Sequence, residues 1–133
     1  MYSNRNDWHT PLLIAAREGY SKIVELLLAH DADQSITGYP MNAIAFHKAA
    51  YMGHPEIIQL LLADKRAAKV LNAQGPNNGY TPLHDAIWHG NTKAARVLIK
   101  GGAKLDLSTY EQDTPLALAK RYQYSEIVKF IEH

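Results

Sequence analysis

Cysteine is absent from the chain, which removes disulfides, zinc–thiolate clusters and catalytic thiols together. Charge of one sign is missing too, because fourteen Lys and Arg face thirteen Asp and Glu, leaving a formal net charge of +1. So weak a field gives no reason to expect nucleic acid or an anionic membrane surface. Long apolar runs are missing as well. IVELLLA (residues 23–29) is broken by Glu25 and is far too short to span a bilayer. The first ten residues, MYSNRNDWHT, lack the apolar core of a secretory signal. These absences make a cytoplasmic protein the expectation.

The proportions that remain are those of a folded domain. Hydrophobic residues make up 47% and charged ones 20% of 133 residues, enough for one domain. Catalytic signatures are absent: no HExxH, Walker loop, dinucleotide loop or serine-nucleophile motif occurs. His84 and Asp85 adjoin in sequence, but successive helical residues point in different directions and form no base–orienter pair. No metal site, cofactor or catalytic residue is assigned, and the chain is not expected to be an enzyme.

Self-similarity is the dominant signal. TPLLIAAREG at Thr10 aligns with IAFHKAAYMG at Ile44, TPLHDAIWHG at Thr81 and TPLALAKRYQ at Thr114, at spacings of 34, 37 and 33 residues. Behind each lies a second apolar segment: SKIVELLLA, PEIIQLLLA, TKAARVLIK and SEIVKFIE. Each unit therefore reads as two short antiparallel helices. The first opens at Thr-Pro, where the missing proline N–H leaves no ladder bond unmade. It closes near Gly19, Gly53 or Gly90. The second is expected to start at Ser21, Pro55, Asn91–Thr92 or Ser125, the polar residues acting as caps. One pair cannot bury its own apolar stripe, so four pairs must stack into a solenoid.

TPLHDAIWHGNTKAARVLIKGGAKLD resembles an ankyrin repeat over its full length, with its TPLH opening, central glycine and Gly-Gly-Ala turn. The resemblance runs from about residue 7 to the C-terminus, departing at Leu13 and Asp31 and, in the second unit, at Ile44–Ala45. It implies an all-α repeat solenoid of four helix-turn-helix units with short β-hairpin fingers. The repeats would cover approximately 6–38, 39–75, 76–108 and 109–133 of a single domain. It also implies that His47 and His84 bond backbone between neighbouring repeats.

Three departures carry expectations. Lys120 and Glu132 stand where the other units have apolar residues, as a C-terminal cap requires. The first helix shows no such guard. Leu13 and Ile14 are therefore expected to be partly exposed, or covered by residues 1–8, an upstream repeat or a second copy in weak self-association through the N-terminal repeat. Residues 63–80 are roughly three to four residues longer than their counterparts, as a surface insertion or an extended finger.

The family's register turns the two residues before each central glycine onto the concave face. These are Arg17 and Glu18, Tyr51 and Met52, Trp88 and His89, with Arg121 and Tyr122 in the fourth unit. Aromatic and Arg side chains are the usual binding hot spots, so a line of Tyr51, Trp88 and Tyr122 flanked by Arg17 and Arg121 is the candidate partner site. The expected function is protein–protein interaction, as a scaffold-like module. The alternative is a regulatory or targeting fragment of a longer enzyme or effector.

Overall fold

The computed structural model describes residues 10–38, 43–76 and 78–132. Eight helices follow one another in pairs: α1 (Pro11–Glu18) with α2 (Ser21–Ala29), α3 (Ala45–Met52) with α4 (Pro55–Ala63), α5 (Pro82–Trp88) with α6 (Thr92–Lys100), and α7 (Pro115–Arg121) with α8 (Ser125–Glu132). α1, α3, α5 and α7 stack into an inner row and α2, α4, α6 and α8 into an outer row. Helices this short are marginal alone, so packing between units holds them.

The Thr-Pro start works as its chemistry suggests. The hydroxyls of Thr10, Thr81 and Thr114 accept from the amides of Leu13, His84 and Ala117, each at 3.2 Å. In the second unit Ile44 has no such acceptor. There the Ile44 amide donates to Nδ1 of His47, 3.2 Å away. That leaves the proton on Nε2, which donates to the Tyr80 carbonyl of the next finger at 3.0 Å. His84 repeats the arrangement. It accepts at Nδ1 from the Thr81 amide at 3.2 Å and donates through Nε2 to the Asp113 carbonyl at 3.0 Å. Each histidine thus caps its own helix and clips the following unit, as the resemblance implied. Burial holds both rings below the ordinary histidine pKa.

Gly19, Gly53 and Gly90 close the inner helices with φ of +82°, +75° and +67°. A second constraint acts on the first two. A Cβ on Gly19 would meet the His54 ring at 2.9 Å, and one on Gly53 would meet the Asn91 amide at the same distance. Here the expected capping fails. Ser21 is already the first helical residue, and Asn91 makes no side-chain cap. Instead the Asn91 amide reaches back to the carbonyls of Ala50 and Tyr51 at 2.8 and 3.1 Å. His54 does the same to Arg17 at 2.9 Å. The residues before α4 and α6 thus serve the preceding unit, at the helix end where carbonyls run out of helical partners.

The fingers carry no strands among the described residues. They turn on single bonds, such as Gly75 to Tyr80 at 2.9 Å, with one isolated bridge between Gly38 and Ala43. Gln74 ties the second finger to the next through the Gly79 and Ser108 carbonyls, at 3.0 and 2.8 Å. The long insertion is only partly a finger. Ala67–Lys69 form a 3-10 turn on α4, with Ala67 and Leu71 buried.

The core runs the length of the stack through Phe46, Ile57, Ile58, Leu61, Leu83, Ile87, Leu98, Leu118 and Ile127, all essentially inaccessible. Lys120 and Glu132 lie 3.5 Å apart on the C-terminal edge, so the two polar replacements neutralise each other. At the N-terminal edge one expectation is corrected. Leu13 is buried, because it stands in the histidine register of His47 and His84 and points toward the next unit. Ile14 is half-buried. Ile23 and Leu26 of α2 are the exposed pair, at 46% and 60%, although Ile57, Ala94 and Ile127 in the register of Ile23 are each 1% exposed. Any covering by residues 1–8 lies outside the described residues.

Candidate functional site

The concave face is built where inner helices meet fingers. Tyr51 at the end of α3 and Trp88 at the end of α5 occupy one register in successive units, so stacking sets them side by side. Their rings meet edge to face at 6.2 Å between centroids. Tyr80, carried on the finger, meets Trp88 edge to face at 5.5 Å. His89 closes on Tyr51 at 3.9 Å and on Trp88 at 4.7 Å. Edge-to-face pairs of this kind are worth about 0.5–1.5 kcal/mol beyond their area. Yet Tyr51, Met52 and Trp88 remain 47%, 49% and 39% exposed. Packing alone therefore leaves their outer faces free.

Beside these rings opens a pocket of about 260 Å³, lined by Arg17, Lys48, Tyr51, Met52, Tyr80, Asp85 and Trp88. It gathers four of the sequence-assigned residues: Arg17, Tyr51, Met52 and Trp88. Glu18 lies at the rim, its carboxylate 3.0 Å from the Arg17 guanidinium in an exposed pair.

The fourth unit stands apart. Arg121 pairs with Asp113 and lies 3.8 Å from Glu111, so its charge is already answered. Tyr122 packs at 5.9 Å on Tyr124. The expected line of Tyr51, Trp88 and Tyr122 is thus interrupted. Counting by register gives the reason: Arg121 is the equivalent of Trp88, and Tyr122 that of His89.

Three residues were missed: Lys48, Tyr80 and Asp85. Lys48 and Asp85 each stand three residues before an aromatic residue of the face, a spacing that places them on the same side of the helix. That signal was readable, but burial was not. Asp85 is 8% exposed and has no charged or hydrogen-bonding partner among the described residues. Burial pushes its carboxyl up to about 8. Lys48 is lowered by burial and then by the neighbouring Arg17. Among the described residues no cluster of three metal-ligating side chains occurs, and no helix is long and apolar enough to cross a membrane.

Paired helices, inter-unit histidines and a groove of inner helices and fingers define a helical repeat solenoid with an exposed concave face. The family model for ankyrin repeats matches residues 2–72 and 46–132, and the chain belongs to the ankyrin repeat family. It is 31% identical over 128 residues to a tyrosine-protein kinase, HTK16, of Hydra vulgaris, covering 93% of this chain and 16% of that protein. It is 33% identical over 118 residues to the nuclear factor NF-kappa-B p105 subunit of Mus musculus, covering 84% of this chain and 12% of that one. BCL-6 corepressor-like protein 1 of Homo sapiens is 32% identical over 117 residues, covering 87% and 6%. The chain thus spans a small part of the length of these relatives. Ankyrin repeats are modules of protein interaction rather than catalysis.

Proposed function

We propose that the chain binds a partner protein along its concave face, with Trp88 at the centre of the contact. One observation carries this reading: Tyr51, Met52, Trp88 and His89 form a contiguous exposed cluster in which the rings of two successive units meet. With layers ~8–10 Å apart, four units make a face roughly 40 Å long. That length approaches the ~800 Å² per partner of a standard interface. Arg17 and Glu18 sit at one end of the face, and Arg121 and Tyr122, held by Asp113 and Tyr124, would form its rim at the other. The proposed setting is the cytoplasm, which the lack of cysteine supports. Nucleic acid and membrane are not the proposed partners.

The test is titration calorimetry of a captured partner against wild type and Trp88→Ala, with circular dichroism confirming the fold. The expected loss is ~2 kcal/mol or more, roughly thirtyfold in affinity. Unchanged affinity, with loss instead from Lys93→Ala on α6, would move the binding face to the convex side.

The small share of each relative that the chain spans supports the alternative of a regulatory or targeting module inside a longer protein. A second contact is also proposed, weak pairing of two copies edge to edge through Ile23 and Leu26. The polar pair Lys120–Glu132 makes the other edge a poor match, so the pairing would be two-fold rather than head-to-tail. Sedimentation should show a concentration-dependent dimer that Leu26→Glu abolishes. A wild-type monomer at every accessible concentration would rule the contact out.

A further inference from the structure

The concave pocket holds a group that protein binding in general leaves unexplained. Asp85 lines it, 8% exposed, and its carboxyl has neither an ion pair nor a hydrogen bond among the described residues. A buried carboxyl without a partner costs several kcal/mol when ionised. A charged partner arriving from outside would remove that cost.

The surroundings state which charge fits. Trp88 lies one turn beyond Asp85 on α5, and the rings of Tyr51 and Tyr80 flank it at 6.2 and 5.5 Å. Aromatic faces attract cations, Trp most strongly. A volume of about 260 Å³ admits one long side chain but not a helix, whose diameter is ~10 Å. A single carboxylate answers either an ammonium, as a point charge, or a guanidinium, through its two-pronged fork. The same pocket is lined by Lys48 and Arg17, from α3 and α1. A cation beside them is repelled unless an acidic neighbour comes with it.

We propose that the pocket takes a basic side chain, lysine or arginine, from an extended segment of the partner, its cationic head against Asp85 and the ring of Trp88, with an adjacent acidic residue meeting Lys48 and Arg17. This rests on the concave-face reading and names the chemistry of its partner. In effect the pocket reads an acidic–basic pair in the segment, the two charges held apart by its two walls.

A pH response follows, and the neighbouring groups isolate it. His47, His84 and His89 are all held below the ordinary histidine pKa by burial, so they stay neutral from pH 7 to 9. Tyr80 is raised by burial and stays neutral as well. Arg121, on α7, is paired with Asp113. The cations of α6, Lys93, Arg96 and Lys100, line a groove on the opposite, convex side. Lys48 is lowered by burial and by Arg17, so its own titration has to be separated from that of Asp85.

The probe is a capped peptide, Ac-Ala-Glu-Lys-Ala-amide, compared with peptides carrying arginine or norleucine for lysine, or glutamine for glutamate. Binding is read from the Trp88 indole resonance, assigned with Trp88→Phe. The lysine and arginine peptides are each expected to bind at least tenfold more tightly than the norleucine peptide, and the glutamine peptide to fall between. Affinity should rise by up to about tenfold per pH unit toward pH 8 and level off above it, the lysine ammonium staying charged near its usual ~10.4. Asp85→Asn, with its fold confirmed by circular dichroism, should lose both the preference and the pH response. Equal binding of the norleucine peptide, full affinity in Asp85→Asn, or a pH response that survives in that variant overturns the proposal. No binding by any of the peptides also overturns it. If Trp88→Ala still weakens a captured partner in that case, the concave face stands and only its basic ligand falls.

Discussion

Leu98→Ala is expected to destabilise the chain by ~2–5 kcal/mol, the range for emptying a leucine site that cannot collapse. Leu98 is fully buried on α6, the outer helix that packs on both α4 and α8. A cavity there loosens two interfaces between units at once. Stability in a stacked array is approximately a sum over units and their interfaces. For a domain whose total is ~5–15 kcal/mol, such a loss is a large fraction. Arg17→Ala is the contrast. Its pair with Glu18 is exposed on both sides, and such pairs usually matter by under ~0.5 kcal/mol. Urea denaturation of both variants measures the difference. Comparable losses would mean that the buried and exposed faces are wrongly assigned.

Leu98 is also a measure of what the sequence made legible. Thr-Pro at fixed spacing, glycine eight residues after Pro11 and Pro82, and apolar residues recurring on a helical period place Leu98 in the buried stripe without coordinates. The same register leads to Tyr51 and Trp88, and the structure sets their rings side by side. Where the reading erred, the reason is local. Tyr122 stands in the register of His89 rather than that of Trp88, and one residue turns a helical side chain by about 100°. Leu13 was read as edge because its type is apolar, but the edge is decided by direction, and the histidine register points toward the next unit. The exposed edge could have been found by comparing Ile23 with Ile57 and Ile127, identical residues that each have a described unit before them. Asp85 could not have been found by type at all. Its chemistry depends on the walls around it, which come from three units.

Those walls give Asp85 the other large expected effect. Burial raises its pKa to about 8 from the ordinary 3.8. A carboxyl raised in the folded state favours folding fully below the unfolded value and loses that contribution as pH climbs to the folded one. The wild type should therefore lose stability through this group between pH 4 and pH 8. His47 and His84 act in the opposite sense. Burial lowers both, so their contribution is present above pH 6.5 and lost as pH falls below it toward their folded values. Between pH 4 and 6.5 the two trends oppose each other and flatten the wild-type profile. Asp85→Asn removes the first and leaves the second. The variant should gain on the wild type by up to about 1.4 kcal/mol per pH unit from pH 4 toward pH 8, and by no more above it. On the acid side it should expose the histidine loss. Protonating His84 at Nδ1 replaces an acceptor by a donor facing the Thr81 amide, which breaks the cap of α5. Urea denaturation of both proteins at unit steps of pH measures each effect. A constant difference between them across that range would show that Asp85 titrates as an ordinary surface carboxylate, and the charge-matched pocket would lose its acid.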